Sequence, residues 1–373
     1  MDSAHPDGSF QERILPHVSR TFALTIPQLP VPLRATVANA YLLCRIADTI
    51  EDEPSLSAAE TRSFLQRFTA VVAGTEPARP LAREVAARLT ERTLPAEREL
   101  VANMERVGLG ARLGEQRGTI VRCIELMCDG MHHFQRTVSV RGLPRSTDLD
   151  SYCYYVAGVV GEMLTDLFCH HSPAVAARAA TLSELAASFG EGLQLTNILK
   201  DFWDDRSRGA CWLPQEVFTP HGVELSQLTP ERPDSGFPAG MRELVGVAHG
   251  HLRNALAYTI AIPPEEAGIR RFCLWAIGLA VLTLRKIVAN PQFTAGAQVK
   301  ISRSAVRMTQ LCTSAAVRND HLLTMMFDYA SRGLPLASPA LVQRAALRAS
   351  ALASTTREAD SPRSVRPQRA APV

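Results

Sequence analysis

Apolar residues recur every three to four positions along most of this chain, and stretches that alternate apolar with polar are scarce. The periodicity predicts helices over 33–52, 58–73, 81–89, 96–109, 116–135, 149–169, 181–203, 241–262, 265–289 and 303–329, with a shorter one over 339–353. Proline and glycine punctuate the pattern at Pro54, Gly74, Pro95, Gly142, Pro144, Pro173, Pro214, Pro263, Pro264 and Pro291. The stretch 223–238 is rich in Pro and Ser and reads as a surface loop. No internal repeat is visible. The expectation is an all-α domain, with ten or more helices around one core, over residues 14–353. A flexible segment over 1–13 precedes it, and a tail over 354–373, low in apolar residues, is expected to be disordered.

Composition narrows the class without naming a function. The chain has 373 residues, 46% hydrophobic and 21% charged, which is ordinary for a globular protein. Its net charge is +3, and the stretch from Arg348 to Val373, with five Arg against two acids, carries that whole excess. The body is neutral, so a nucleic-acid partner is not expected. None of the eight cysteines has CxxC spacing, and most sit in apolar sequence, which fits buried reduced thiols in a cytoplasmic protein. The first ten residues lack a secretory signal pattern. The longest apolar run, Phe272 to Leu284, has thirteen residues, and a membrane span needs about 20, so it reads as a core helix. No integral anchor is expected, and peripheral membrane contact is left open.

Chemistry enters with two pairs of aspartates. Asp48 and Asp52 end one predicted helix, and Asp201 and Asp205 end another. Residues four apart share a helix face, about 6 Å apart along the axis, and like charges there repel. Hard oxygen ligands on one face suit Mg²⁺, which takes one or two carboxylates and fills its remaining positions with substrate phosphate oxygens. Two such pairs facing each other would grip a diphosphate and stabilise its departure. Spacing alone also fits a solvated acidic helix end. Context favours a site: each pair follows strongly apolar sequence, and cations stand beside both, with Arg45 at the first and Lys200, Arg206 and Arg208 at the second. Gln194 and Asn197 extend the Asp201–Asp205 stripe backwards through apolar sequence, and Tyr41 shares the Asp48 face. Tyr152 opens an apolar segment whose Gly158 and Gly161 fit either room for a chain-like ligand or close helix packing. His132 and His133 have no partner at metal spacing, and Glu125 with Asp129 is a secondary acidic pair.

Four ordered strings resemble the squalene/phytoene synthases. They are Ser19-Arg20-Thr21-Phe22, Tyr41 through Asp52, Tyr152 through Gly161, and Gln194 through Asp205, and the likeness runs roughly from Ser19 to Tyr329. The resemblance implies the isoprenoid synthase fold, with the aspartate motifs facing across a central cavity. It implies head-to-head joining of two prenyl diphosphates, with the site residues divided as follows. Asp48, Asp52, Asp201 and Asp205 would bind Mg²⁺-diphosphate, helped by Asn197 and Gln194. Arg20, Arg45 and Lys200 would contact diphosphate oxygens, and Tyr41 and Tyr152 would line the site where carbocations form.

Within the family, the Tyr152 string and the stretch from Ala297 to Val306 are closer to squalene synthases, which convert farnesyl diphosphate through presqualene diphosphate to squalene with NADPH. Lys300 and Arg303 would then serve the cofactor. Ser302-Arg303 departs from the usual basic-basic order, and Ala210 stands where the family commonly has Arg. That contact is then missing or supplied by Arg206 or Arg208. The alternative is a phytoene or dehydrosqualene synthase, without NADPH. From a different class, the chain could be a non-catalytic helical interaction protein retaining the fold. A monomer in the cytoplasm is expected, with peripheral membrane contact for product release left open.

Overall fold

The computed structural model describes residues 6–19, 21–107, 116–135, 139–231 and 234–337. The expected helix over 339–353, the disordered tail over 354–373 and Arg20 lie outside them. Among the described residues there is no β-strand, only two isolated bridges, Ser139 with Cys211 and Leu143 with Pro214.

The helices run α1 Pro6–Val18, α2 Phe22–Thr25, α3 Val31–Asp52, α4 Ala58–Ala73, α5 Ala78–Ala86, α6 Pro95–Ala102, α7 Arg117–Gln135 and α8 Ser146–Cys153. They continue as α9 Val159–His171, α10 Pro173–Ala176, α11 Ala179–Ser207, α12 Gln215–Phe218, α13 Phe237–Ala261, α14 Ala267–Ala289, α15 Arg303–Ala316 and α16 Asp320–Ala330. The long helices α11, α13 and α14 pack on one another, and α9 lies along α11. On the other side α3 packs against α4 and α7.

Four expectations need correction. The segment expected to be flexible to residue 13 is helical from Pro6, because Phe10 and Ile14 are buried in the core. The helix predicted over 303–329 is two helices: the chain breaks at Val317, and the Asn319 side chain caps the start of α16 by accepting from Leu322 N–H at 2.9 Å. The stretch 223–238 is not wholly a surface loop, since Val223, Leu225 and Leu228 are buried and Phe237 already begins α13. The helix predicted over 149–169 carries a π-helical turn, Tyr154–Gly158, between α8 and α9. Such a turn inserts a residue and re-aims the side chains before it. Seven of the eight cysteines are buried or half-buried, but Cys312 is exposed.

α14 is, among the described residues, the one helix apolar and long enough to cross a membrane by composition, with mean hydropathy 1.8. Here it is a core helix: Phe272, Cys273, Ile277 and Leu284 are buried.

One buried charge site has no obvious structural reward. Glu191 on α11 is 2% exposed, and neither carboxylate oxygen finds a hydrogen bond. Its neighbour His251 Nδ1, 3.4 Å away, is engaged by Ser188 Oγ at 2.8 Å. Asn254 donates to that same Ser188 oxygen at 2.9 Å. Burial pushes Glu191 up to about 8, with Asp150 and Glu162 adding to it, and pushes His251 down to about 4. At Glu191 the native state therefore holds a proton that the unfolded chain loses near 4.5, while His251 stays neutral in the fold where the unfolded chain still binds a proton below about 6.5; the two slopes oppose each other up to there, and the pair's stability falls as pH rises from about 6.5 to about 8. Glu191→Leu is expected to stabilise the fold by about 2 kcal/mol at pH 8, and by less at pH 6, because an unpartnered buried polar group is removed. Urea midpoints of both proteins at the two pH values check this.

Candidate active site

The helical face of α3 sets out the first half of the site. Tyr41, Arg45, Asp48 and Asp52 fall on one stripe, and all four line a cavity of about 690 Å³. Tyr41 donates its hydroxyl to Val18 O at 3.3 Å, with its ring 5.0 Å from that of Phe22. Arg45 ion-pairs with Asp48 at 3.6 Å and is gripped from α6 by the buried carboxylate of Glu97.

α11 supplies the facing half. Gln194, Asn197, Asp201 and Asp205 line the same cavity. Lys200 Nζ lies 3.0 Å from Asp201 Oδ2 and donates to Asn197 Oδ1 at 3.3 Å. The two halves are joined by Arg208, whose guanidinium reaches Asp205 at 2.5 Å and Asp52 at 3.8 Å. One side chain touching both motifs fixes how near they stand. Arg206 takes no part: its three nitrogens donate to the carbonyls of Leu228, Val140 and Ser226 at 2.8, 3.0 and 2.9 Å. Between the two arginines beside Ala210, Arg208 is the one that faces the site.

The remaining predicted residues divide. Tyr152 lines the cavity with its ring stacked on Trp212, centroids 3.7 Å apart and planes within 8°. Lys300 lines the rim, on the segment between α14 and α15. That segment is pressed on the second motif at Gly296, where a Cβ would stand 3.0 Å from Asp204 Oδ2 and from Lys200 O. Arg303 is exposed in the first turn of α15 and does not line the cavity. Gly158 and Gly161 leave no ligand space, because a Cβ on Gly161 would stand 2.0 Å from Ala186 O.

Four contributors lay outside the predicted set. Glu51 had a signal, since it sits beside Asp52 and three residues past Asp48, and it lines the cavity. Arg208 entered only as an alternative to Arg206 for the contact that Ala210 lacks. Trp212 and Glu97 had none, because each meets its partner only through tertiary packing.

Crowding and shelter shift the carboxylates. Burial pushes Asp48 up to about 6, against the pull of Arg45 and reinforced by Asp52 and Glu97. Burial pushes Asp205 up to about 6 as well, opposed by Arg208. Glu51 and Asp52 are raised for the same first reason. These groups are enclosed by protein but not sealed: Asp48 keeps 35% of its side chain accessible from the cavity. Among the described residues no group of three His, Cys, Asp or Glu could hold a metal by itself. The donor chemistry nonetheless fits Mg²⁺, which takes few carboxylates when substrate phosphates complete its shell.

The squalene/phytoene synthase family model matches residues 15–305. The chain belongs to that family. Among relatives, a squalene synthase of Candida albicans is 29% identical over 299 residues, covering 76% of this chain and 62% of that protein. The rat squalene synthase is 28% identical over 298 residues, covering 78% and 66%. The chain thus spans about two thirds or less of the length of these two relatives. Among solved structures, a ligand complex of TcSQS superposes with TM-score 0.69 at 23% identity, covering 92% of this chain and 98% of that one. A dehydrosqualene synthase does so with TM-score 0.60 at 22% identity, covering 84% and 96%. The fold of this squalene/phytoene synthase family member is therefore the isoprenoid synthase fold expected from its sequence.

Proposed function

We propose that this protein is a Mg²⁺-dependent prenyltransferase of the squalene synthase type, joining two farnesyl diphosphates head-to-head through presqualene diphosphate. The observation that carries the reading is the pair of acidic motifs, from α3 and α11, on opposite sides of one cavity and bridged by Arg208. Asp48, Asp52, Asp201 and Asp205, with Asn197, would hold Mg²⁺, which when bound neutralises the charge of a departing diphosphate. Arg45, kept in place by Glu97, and Lys200 would take diphosphate oxygens, as would Arg20. Apolar walls from Phe22, Val156, Leu193, Leu279 and Val306 exclude water from the cations formed once diphosphate leaves. Tyr152, stacked on Trp212, lines that space, where an aromatic ring stabilises positive charge. Burial keeps its phenol neutral far above the ordinary range. Reduction to squalene would draw hydride from NADPH. Lys300 at the rim suits a cofactor phosphate there, and Arg303 on the adjoining surface a second one.

Farnesyl diphosphate and Mg²⁺, with and without NADPH, provide the test. Squalene is expected with NADPH and presqualene diphosphate without it. Dehydrosqualene or phytoene-type products in both reactions would overturn the reductive step. Absence of Mg²⁺-dependent binding of a farnesyl diphosphate analogue would overturn the enzymatic reading and favour a non-catalytic helical protein. The reading also includes a cytoplasmic monomer in peripheral contact with a membrane that receives the apolar product.

A further inference from the structure

The last turn of α3 is badly placed for the side chains it carries. Asp48, Glu51 and Asp52 all line the cavity, and they stand at the negative end of the helix dipole, with no basic residue in that turn. Like charges four apart and anions at a helix C-terminus both favour fraying. α11 meets the same difficulty with cations close in sequence. Arg206 lies in its last turn, Lys200 pairs with Asp201, and Arg208 pairs with Asp205. α3 has only Arg45, three residues before Asp48, and Glu97 already shares that charge.

What holds the end of α3 comes from a distant stretch, residues 88–97. Pro54 bars the helix from continuing and sets Glu53 extended, at φ −73° and ψ 109°. Stopping the helix needs nothing more, yet Glu53 is 2% exposed and four donors reach its carboxylate. They are Thr93 Oγ1 at 2.6 Å, Thr90 N–H at 2.9 Å, Thr90 Oγ1 at 3.0 Å and Ser55 N–H at 3.0 Å. Ser55 Oγ adds a bond to Arg88 O at 2.9 Å. At the other end of the same stretch, Glu97 on α6 reaches back to Arg45. Two buried carboxylates thus cross between α3 and residues 88–97 in opposite directions, on either side of the acidic motif. α4 ends more simply, on Gly74 in a left-handed conformation, and buries no charge to do so.

We propose that Glu53 and Thr93 are positioning residues, which fix the last turn of α3 so that Asp48 and Asp52 are already aligned when a divalent cation and a diphosphate arrive. Neither residue lines the cavity, so neither meets the ligand. They act through the helix: Glu53 follows Asp52 directly, and its bonds to Thr90 and Thr93 anchor that turn to the stretch leading into α6. Groups behind a metal ligand orient it and remove the need to order it on binding. The second motif has its own cations for this, and the first borrows its support from forty residues away. The role rests on the function proposed above.

The test uses the full-length protein, with Mg²⁺ and inorganic pyrophosphate as the probe. Glu53→Gln sets an amide donor against the donors of Ser55, Thr90 and Thr93. It is expected to weaken Mg²⁺-dependent binding of pyrophosphate about tenfold in calorimetry. Without ligand, amide hydrogen exchange over residues 49–52 should quicken about tenfold or more, while exchange over 204–207 at the end of α11 stays as in wild type. Thr93→Val removes the shortest of the four bonds and should move both readings the same way, and Thr93→Ser should restore them. Arg88→Gln is the control: it breaks the Arg88–Glu60 pair, 2.6 Å, on the outside of the same stretch and should change neither reading. Circular dichroism and melting fix a temperature at which every variant is folded. Unchanged binding, or unchanged exchange at the end of α3, in both Glu53→Gln and Thr93→Val overturns the proposal. So does exchange that quickens equally in α3 and α11, because the two residues would then serve general stability. A wild-type protein that binds no Mg²⁺–pyrophosphate overturns the function proposed above and the positioning role with it, and the wild-type titration alone tells that failure from the others.

Discussion

Asp201→Asn is expected to lower turnover of farnesyl diphosphate about a thousandfold or more, and Asp48→Asn to do the same, with circular dichroism unchanged in both. The amide keeps the shape of the side chain and removes the charge that would hold a divalent cation. Metal-assisted departure of a diphosphate is worth several kcal/mol, and about 4 kcal/mol is a thousandfold in rate. Glu84→Gln is the control, since Glu84 pairs with Arg67 on the surface, outside the cavity, and should leave turnover intact. Wild-type turnover by both Asn variants would refute the assignment. The same pair of motifs sets a pH dependence with a definite sign. Asp48 and Asp205 sit near 6 against an ordinary 3.8, so the metal-free native state holds protons that the unfolded chain has lost. Stability of the metal-free protein should therefore fall as pH rises from about 4 to about 6, and Mg²⁺ should restore it above 6. Magnesium affinity should drop as pH falls through 6, with proton release on binding at pH 6. Calorimetry in two buffers of different ionisation enthalpy measures that release, and a metal affinity flat between pH 5 and 8 would contradict the placement of these carboxylates.

What the sequence could and could not reveal follows from the range of each signal. Helix periodicity is local, so α3, α11 and α14 were legible from their apolar stripes, and the aspartates fell on the cavity face because i, i+4 spacing is itself a helical geometry. The break between α15 and α16 was not legible, because apolar spacing continues through Val317, and Asn319 is an inconspicuous cap until its bond to Leu322 is seen. Glu97 was invisible for a different reason. It is one acid among many on a short helix, and only the packing of α6 against α3 delivers it to Arg45, fifty-two residues away in sequence. Trp212 likewise meets Tyr152 only after the chain has turned back from α11. Arg206 and Arg208 have equal charge in the sequence, and the backbone carbonyls that absorb Arg206 decide between them. Pairwise contacts between distant segments are thus what the one-dimensional pattern lacks, and they complete a site whose outline was local.

Gly161→Ala is expected to destabilise the protein by about 3 kcal/mol and to lower its melting temperature by about 6 °C, because added volume has no room to relax. The two candidate explanations for the small residues after Tyr152 make opposite forecasts. If they opened space for a ligand, a methyl group would trim the cavity and leave stability alone. The geometry gives close packing instead: a Cβ on Gly161 would stand 2.0 Å from Ala186 O, and one on Gly190 would stand 2.0 Å from Ala157 O. Each helix presents glycine to the other's backbone carbonyl, so neither contact can be relieved by turning a side chain. The helices crossing here are those that carry the site. Tyr152 precedes the π turn that leads into α9, and Gln194 and Asn197 follow Gly190 along α11. Prying the backbones apart moves these side chains relative to each other, so Gly161→Ala should also cost turnover beyond its unfolded fraction, read as a lower kcat at a temperature where the variant is fully folded. Gly118→Ala in α7 is the control, because nothing lies within 4 Å of its added Cβ, and it should cost no stability. Melting of Gly161→Ala at the wild-type temperature would show that the two helices tolerate a wider separation, and the rigid crossing inferred here would be wrong.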